Sequence, residues 1–171
     1  MMLATGKRTV IYPAVVAMVD GVKCRALLDP GAGSSYISSE MAKDLQKQPS
    51  RSEYRRIDMM MSSTTQKIEI YDVTLADVRG KFQLKTQVSK VAKSVFLSVP
   101  NPHYTTIISP NQHLVGVEIN DDDTKVELPI HLTLGAGDYS RIKTTSKPKI
   151  GQPGQPIAEF TSLGWIIMSA G

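Results

Sequence analysis

The chain has 171 residues, the length of one ordinary domain, and 41% of them are hydrophobic while 21% are charged. This composition excludes a disordered chain, which would be poorer in apolar residues and richer in charge. The net charge of +4 comes from 20 basic and 16 acidic residues without a dense basic block, so nucleic-acid binding is not favoured. Aromatic residues make up only 6%, which indicates an aliphatic core built from strands.

Cys24 is the single cysteine of the chain. One thiol cannot form an intrachain disulfide, so a disulfide-stapled secreted scaffold is excluded and a reducing compartment is favoured. The first residues lead into no apolar run of signal-peptide length, and no stretch reaches transmembrane length. We therefore expect a chain that neither enters nor spans a membrane.

The first predicted element is a β-hairpin. Residues 9–19 are rich in β-branched and apolar residues, and Asp20-Gly21 is a strong two-residue turn signal. Residues 22–28 then alternate between apolar and polar side chains as a half-buried strand does. This strand leads directly into a loop of small residues at 29–35.

The later elements follow from the same signals of periodicity, capping and turn chemistry. They are, in chain order, a helix over 40–45 capped by Ser38 or Ser39, a hairpin over 54–75 whose turn lies at 62–65 with three methionines before it, a turn at 79–81, a strand over 82–88, an irregular surface loop over 100–112, a solvated turn at 120–123, a strand over 130–134, a short helix after 135–137, a long connection over 143–156 and a strand over 164–168.

One local sequence occurs twice. Gly-Ala-Gly stands at 31–33 after one apolar strand and at 135–137 after another. The repetition has two explanations, a coincidence of common residues or two halves related by pseudo-symmetry.

Asp29 stands at the end of an apolar strand. A carboxylate there is unfavourable unless it has a partner, a shifted pKa or a function. Gly31 allows a tight backbone beneath it, which is expected to point N–H groups towards the carboxylate. An Asp that opens a turn containing Pro30 explains the same residues without any function, and the residues alone favour neither interpretation.

Three motifs in order carry a family resemblance. They are Ala-Leu-Leu-Asp-Pro-Gly-Ala at 26–32 followed by Ser-Tyr-Ile at 35–37, Leu-Thr-Leu-Gly at 132–135 followed by Asp138-Tyr139, and Pro156, Ala158, Thr161, Leu163, Gly164 and Trp165. Together they resemble retropepsin-type aspartic proteases, and more narrowly the protease domain of BEL/Pao-type retrotransposon polyproteins.

The resemblance implies an all-β fold: a retropepsin-like closed β-barrel or sandwich with a flap hairpin and one or two short helices. It further implies one domain over residues 1–171, with a core over about 9–142 and a C-terminal extension with a dimer strand over about 143–171.

The implied activity is that of an aspartic endopeptidase, in which two carboxylates share a proton and activate water. The chain has one Asp-x-Gly loop of the required kind, so a working site needs a homodimer with one Asp29 from each subunit. The expected substrate is an extended peptide of a retrotransposon polyprotein. The expected location is intracellular, either cytoplasmic or within retrotransposon particles.

The resemblance also assigns individual residues around Asp29. Pro30, Gly31 and Ala32 form the active-site loop, and residues 59–66 form the flap that closes over the peptide. The residues expected to bind substrate are Gly33, Met60, Met61, Ser62, Ser63 and Thr64. Two plainer interpretations stay open, an ordinary surface hairpin and methionines that fill the core.

Pro30 departs from the family pattern, which has Thr or Ser at this place. Proline supplies neither the hydroxyl nor the N–H that braces the two loops across the dimer axis. The alternative function is therefore a catalytically inactive retropepsin-fold module for dimerisation or peptide binding. Gly33 also stands where many retroviral relatives carry an Asp that contacts the substrate backbone.

No metal or other cofactor is expected. His103, His113 and His131 lack metal-ligand spacing, and Asp121 to Asp123 lack the closing Glu of a calcium loop. The lysines at 143, 147 and 149 are interpreted as solubilising a loop rather than as binding RNA.

Overall fold

The computed structural model describes residues 10–58 and 60–169. The expected strand residue Thr9, the flap residue Met59 and both ends of the expected domain lie outside the described residues. The strands are β1 Ala14–Val19, β2 Val22–Leu28, β3 Tyr36–Ile37, β4 Arg51–Asp58, β5 Ser63–Ala76, β6 Gln83–Lys90, β7 Leu97–Pro100, β8 Glu127–Ile130, β9 Leu132–Leu134, β10 Ile157–Thr161 and β11 Gly164–Met168. The helices are α1 Ser39–Asp44, α2 Tyr104–Ile108 and α3 Ala136–Ile142, with a 3₁₀ turn at Gln112–Leu114.

The main sheet closes on itself. Its strand order is β1-β2-β9-β3-β6-β5-β4, and β1 also pairs with β5, so β4 alone stands outside the ring. The predicted all-β class with a closed sheet is confirmed. The expected one or two helices are too few, because the described residues contain three short α-helices. None of the described helices is long and apolar enough to span a membrane.

The interior of the ring is aliphatic, as the low aromatic content predicts. Burying each large aliphatic side chain contributes about 1.5–3 kcal/mol to folding. The fully buried members of this cluster include Ala17, Val19, Ala26, Ile37, Leu75, Leu132, Leu134, Ile142, Leu163 and Ile166.

The hairpin of β1 and β2 follows the sequence prediction. Val19 pairs with Val22 across the turn. Asp20 and Gly21 have φ angles of +48° and +81°, the left-handed conformation that a two-residue turn between twisted strands needs. The hairpin places β2 between β1 and β9, and Asp29 directly follows the last residue of β2.

The hairpin of β4 and β5 has its turn earlier than predicted. Asp58 pairs with Ser63 and Ile57 with Thr64, so Ser63 and Thr64 belong to β5 and the expected turn at 62–65 is wrong. The β-branched threonines favour extended backbone, and the long ladder with β4 fixes their register. Met60 and Met61 therefore lie in the turn itself rather than before it.

The expected surface loop over 100–112 is also wrong. It contains α2, and Tyr104 is buried with Leu114, Ile11 and Ile167 in a second hydrophobic cluster. The prolines and asparagines indicated a loop, but the apolar residues between them pack against the hairpin of β10 and β11. Tertiary packing thus overrides the local signal.

The expected solvated turn at 120–123 is wrong as well. Arg25 of β2 donates two hydrogen bonds to Asp121, at 2.6 and 2.9 Å, and one to Asp123 at 3.1 Å. The side chains of Arg25 and Asp121 are only 9% and 7% exposed. Burial alone would lower the pKa of Arg25, but the hydrogen bonds to Asp121 and Asp123 raise it above its ordinary value. Asp121 and Asp123 therefore tether the acidic segment to Arg25 of β2.

Candidate active site

The candidate site lies where two parallel strands end side by side. Leu28 of β2 pairs with Leu134 of β9, and the Asp29 N–H donates to the Leu134 carbonyl at 2.8 Å. On its other side β9 pairs with β3, so the loop 29–35 passes across the end of β9. This crossing fixes Asp29 next to the segment that begins at Gly135.

Asp29 is exposed. The Ala32 N–H donates to its main-chain oxygen at 3.0 Å, which closes a turn, but no described N–H or O–H donates to its carboxylate. The expected N–H groups of the loop form no hydrogen bond with the carboxylate in the described chain, and the N–H of Ala32 closes the turn instead. The carboxylate is left available.

Gly31 lies under the Asp29 side chain. A Cβ built on Gly31 would be 3.6 Å from Asp29 Oδ1, an ordinary contact, and its backbone is not in the left-handed region. Glycine is therefore not required here by conformation within one chain.

Gly135 is far more constrained. A Cβ there would lie 2.6 Å from the Ser34 carbonyl oxygen and 2.9 Å from that of Ala32. The Gly135 N–H donates to Ser35 Oγ at 3.0 Å, and the Ala136 N–H donates to the Ala32 carbonyl at 2.9 Å. Gly135 and Ala136 thus pack against the Asp29 loop and hold it in place through these two hydrogen bonds.

Asp138 belongs to the second family motif, but its structural role was not predicted from the sequence. It is 8% exposed, and it accepts hydrogen bonds from Ser35 Oγ at 2.5 Å and from Thr86 Oγ1 at 2.6 Å. It links the Asp29 loop to β6 through α3. An acidic residue in the first turn of a helix was the available signal, but its partners lie 103 and 52 residues away in the chain.

Most of the loop next to Asp29 is accessible to solvent. Pro30, Gly31 and Gly33 are exposed and Ala32 is half-buried. The space where a Cβ of Gly33 would stand is open. The loop therefore presents both its carboxylate and its backbone to a potential ligand.

The tip of the β4–β5 hairpin is also exposed. Met60 and Met61 are 99% and 93% exposed, and Ser62, Ser63 and Thr64 are exposed too. The interpretation of Met60 and Met61 as core filling is therefore wrong. Two exposed methionines at the tip of the hairpin are suited to contact with a bound chain. The substrate-binding role of these residues stays a prediction.

Two of the three histidines form hydrogen bonds with residues that are distant in the sequence. His131 Nδ1 lies 2.8 Å from Ser38 Oγ, and His113 Nε2 lies 2.7 Å from the Pro156 carbonyl. Ser38 is the helix cap that the sequence predicted, since its Oγ accepts from the Met41 N–H. Within residues 10–58 and 60–169, no three His, Cys, Asp or Glu side chains are grouped as metal ligands.

Three solved structures are similar to the chain at low identity. A retropepsin-like aspartic protease from Rickettsia conorii is 13% identical, with 94% of this chain and 86% of that chain covered and a TM-score of 0.41. The retroviral protease-like domain of Ddi1 from Leishmania major is 11% identical, with 96% and 97% covered and a TM-score of 0.42. The Simian Foamy Virus (mac) protease is 19% identical, with 56% and 94% covered and a TM-score of 0.34.

Sequence comparison identifies the family. A search of curated proteins finds no match. A family model described as aspartyl protease matches residues 15–100, which is just over half of the chain and includes the Asp29 loop and the β4–β5 hairpin. The predicted resemblance to aspartic proteases is confirmed at this level, while its narrower BEL/Pao form stays a prediction. The chain belongs to the aspartyl protease family.

Proposed function

We propose that two copies of this chain form an aspartic endopeptidase with one Asp29 from each copy. The observation that carries the proposal is the exposed Asp29 carboxylate, which stands at the end of β2 and accepts no hydrogen bond within the described chain. In the dimer one carboxylate, ionised, takes a proton from the attacking water. The other, protonated, donates a hydrogen bond to the scissile carbonyl.

The second carboxylate is assigned to a second copy because Asp138, the acidic residue that bonds to the Asp29 loop, is already engaged. Asp138 follows β9, the parallel neighbour of β2, but both of its oxygens accept hydroxyl hydrogen bonds. It is also largely buried, and its engaged oxygens leave it no proton to share with Asp29. If a two-fold axis passes between the two Asp29 loops, the second copy supplies the second carboxylate.

The C-terminal region is proposed to form part of the dimer interface. We expected a dimer strand within residues 143–171, and β11 pairs with β10 in a separate two-stranded sheet. The Ser169 N–H donates to the Ile11 carbonyl at 3.0 Å, so the described chain ends lie together. In the proposed dimer this region meets its counterpart from the second copy.

The proposed substrate is an extended peptide that lies between the Asp29 loop and the β4–β5 hairpin, which acts as the flap. The three ordered motifs that resemble BEL/Pao proteases support a retrotransposon polyprotein as its source. The proposed place of action is intracellular, in the cytoplasm or within retrotransposon particles.

The test is cleavage of a peptide library by the purified full chain at mildly acidic pH. Asp29→Asn should lower cleavage by roughly a thousandfold or more, since an amide can neither take the proton nor share one. Asp122→Asn is the matched control, because Asp122 is exposed and lies outside the loop. Equal cleavage by the chain and its Asp29→Asn variant would refute the proposal.

Pro30 supports one alternative function, a silent dimerisation or peptide-binding module. Pro30 is exposed in the loop and has neither an N–H nor a hydroxyl with which to brace a second loop. Pro30→Thr and Pro30→Ser decide between the two functions. Cleavage only after either substitution supports the silent module, whereas cleavage by the unmodified chain excludes it.

A further inference from the structure

A cavity of about 520 Å³ adjoins the candidate active site. It is bounded by the Asp29 loop at Gly33 to Ser35, by β4 of the flap hairpin, by β6 and by α3. Because it joins the loop to the flap strand, it lies where a peptide held between them would extend.

The cavity carries more basic than acidic side chains. Four cations line it, from β4, β6 and α3: Arg51, Arg55, Lys85 and Arg141. The one acidic residue in its lining is Asp138, whose two oxygens accept from Ser35 and Thr86. Asp138 is therefore engaged with hydroxyl groups rather than with the cations.

The two arginines of β4 are held in position at the cavity. Glu53, between them on the same face of the strand, pairs with Arg51 and lies 3.3 Å from Arg55 Nε. The hydrogen bond from Arg51 lowers the pKa of Glu53, so this carboxylate is ionised and offsets one positive charge. Arg51 also donates to Gln87 Oε1 at 2.9 Å, which orients its guanidinium.

Lys85 and Arg141 form no ion pair among the described residues. Both side chains are exposed, one on β6 and the other on α3. The negative charges of Glu53 and Asp138 offset two of the four positive charges. The cavity therefore keeps a net positive charge, which we assign to Lys85 and Arg141. A carboxylate that enters the cavity meets donors from three elements.

We propose that this cavity binds an acidic side chain, Glu or Asp, of the substrate peptide at a position outside the scissile bond. This inference rests on the proposed function, because it assigns a specificity subsite to the same peptide groove. Gly33 supports a peptide rather than a small free anion, because the open space beside it gives room for an extended chain next to the cations. Lys85 and Arg141 select the acidic side chain, while Arg51 and Arg55 form the flap side of the subsite.

The test measures binding without cleavage. The full chain carrying Asp29→Asn is titrated against fluorescent peptides in which Glu or Gln occupies each position in turn, at about pH 7 where Glu is ionised. At one position the Glu peptide should bind about five- to tenfold more tightly than the Gln peptide at low salt. The difference should shrink in high salt because these groups are partly exposed.

Charge reversal locates the subsite. Lys85→Glu and Arg141→Glu should each remove the preference for Glu, and the double variant should favour a Lys peptide at that position. Lys147→Glu is the matched control, since Lys147 is exposed and does not line the cavity, and it should keep the preference. Circular dichroism checks that each variant is folded.

The outcomes separate this inference from the proposed function. Equal binding of Glu and Gln peptides at every position, or a preference that survives the double variant, overturns the subsite. Binding with the preference, together with no cleavage by the unmodified chain, supports the subsite and overturns only the catalytic proposal. Cleavage that ignores acidic residues overturns only the subsite.

Discussion

The segments that follow β2 and β9 differ in what they do with similar residues. Both begin at the end of a parallel strand and both contain Gly-Ala-Gly, at 31–33 and 135–137. After β2, Asp29 is exposed and its carboxylate accepts no described hydrogen bond. After β9, Asp138 is buried and accepts two.

This difference separates a structural carboxylate from one that is free to react. The segment after β9 holds the loop after β2 through Gly135, Ala136 and Asp138. The loop after β2 returns no such contact from the Asp29 side chain. Repetition of a short sequence at two strand ends is thus not sufficient for two equivalent sites, and the local environment decides the role of each.

The largest effect is expected from Gly135, and its counterpart Gly31 should show a much smaller one. Gly135→Ala should lower the free energy of unfolding by about 3 kcal/mol, because its Cβ would stand within 3 Å of backbone atoms of Ser34 and Ala32 that cannot easily move. Gly31→Ala should cost less than about 1 kcal/mol, since its Cβ meets Asp29 Oδ1 at an ordinary distance. Urea denaturation of both variants measures this, and equal losses would contradict the asymmetry.

Loss of the Asp138 carboxylate should lower the free energy of unfolding more than loss of the Asp29 carboxylate. Asp138→Ala leaves the Ser35 and Thr86 hydroxyls without their acceptor and should lower the free energy of unfolding by about 2 kcal/mol. Asp29→Ala should change it by less than about 0.5 kcal/mol, because no described donor is lost. The same denaturation series provides the measurement. A larger loss for Asp29→Ala would show that Asp29 is a structural residue.

A smaller effect is expected from Tyr139, which follows Asp138 on α3. Its hydroxyl donates to Glu159 Oε1 at 2.5 Å, and Tyr139→Phe should lower the free energy of unfolding by about 1 kcal/mol at pH 7. Burial, together with the bond to Glu159, raises the pKa of Tyr139 from 10.0 to about 12.

The pH dependence of this contribution has a definite sign. Above pH 10 the unfolded chain loses the Tyr139 proton before the folded chain does, so the stabilisation present below pH 10 is lost as pH rises towards 12. Burial also raises the pKa of the Cys24 thiol, from 9.0 to about 12. Stability should therefore fall between about pH 9 and pH 12, and less steeply in Tyr139→Phe. An equal slope in the variant would contradict the assignment.

Local signals in the sequence predicted the parts of the fold that local physics controls. The Asp20-Gly21 turn, the alternation of β2 and the Ser38 cap each depend on a few neighbouring residues, and each was correct. Together with the ordered motifs they placed Asp29 at a strand end.

The parts that could not be predicted depend on contacts between distant residues. The tether of Asp121 to Arg25 spans 96 residues, and its three aspartates look like a solvated turn without that partner. The helix at Tyr104 requires the C-terminal hairpin as its packing surface. The role of Asp138 and the basic cavity likewise require β4, β6 and α3 to be brought together.

The central claim is that a working site takes one Asp29 from each of two chains. The most direct measurement is the cleavage rate of dimers reassembled from unmodified and Asp29→Asn chains, unfolded together and refolded at equal amounts. If both carboxylates are required, random pairing leaves about a quarter of the activity of unmodified chain at the same total concentration. A residual activity of about one half would show that each chain acts with its own carboxylate alone, and would contradict the account.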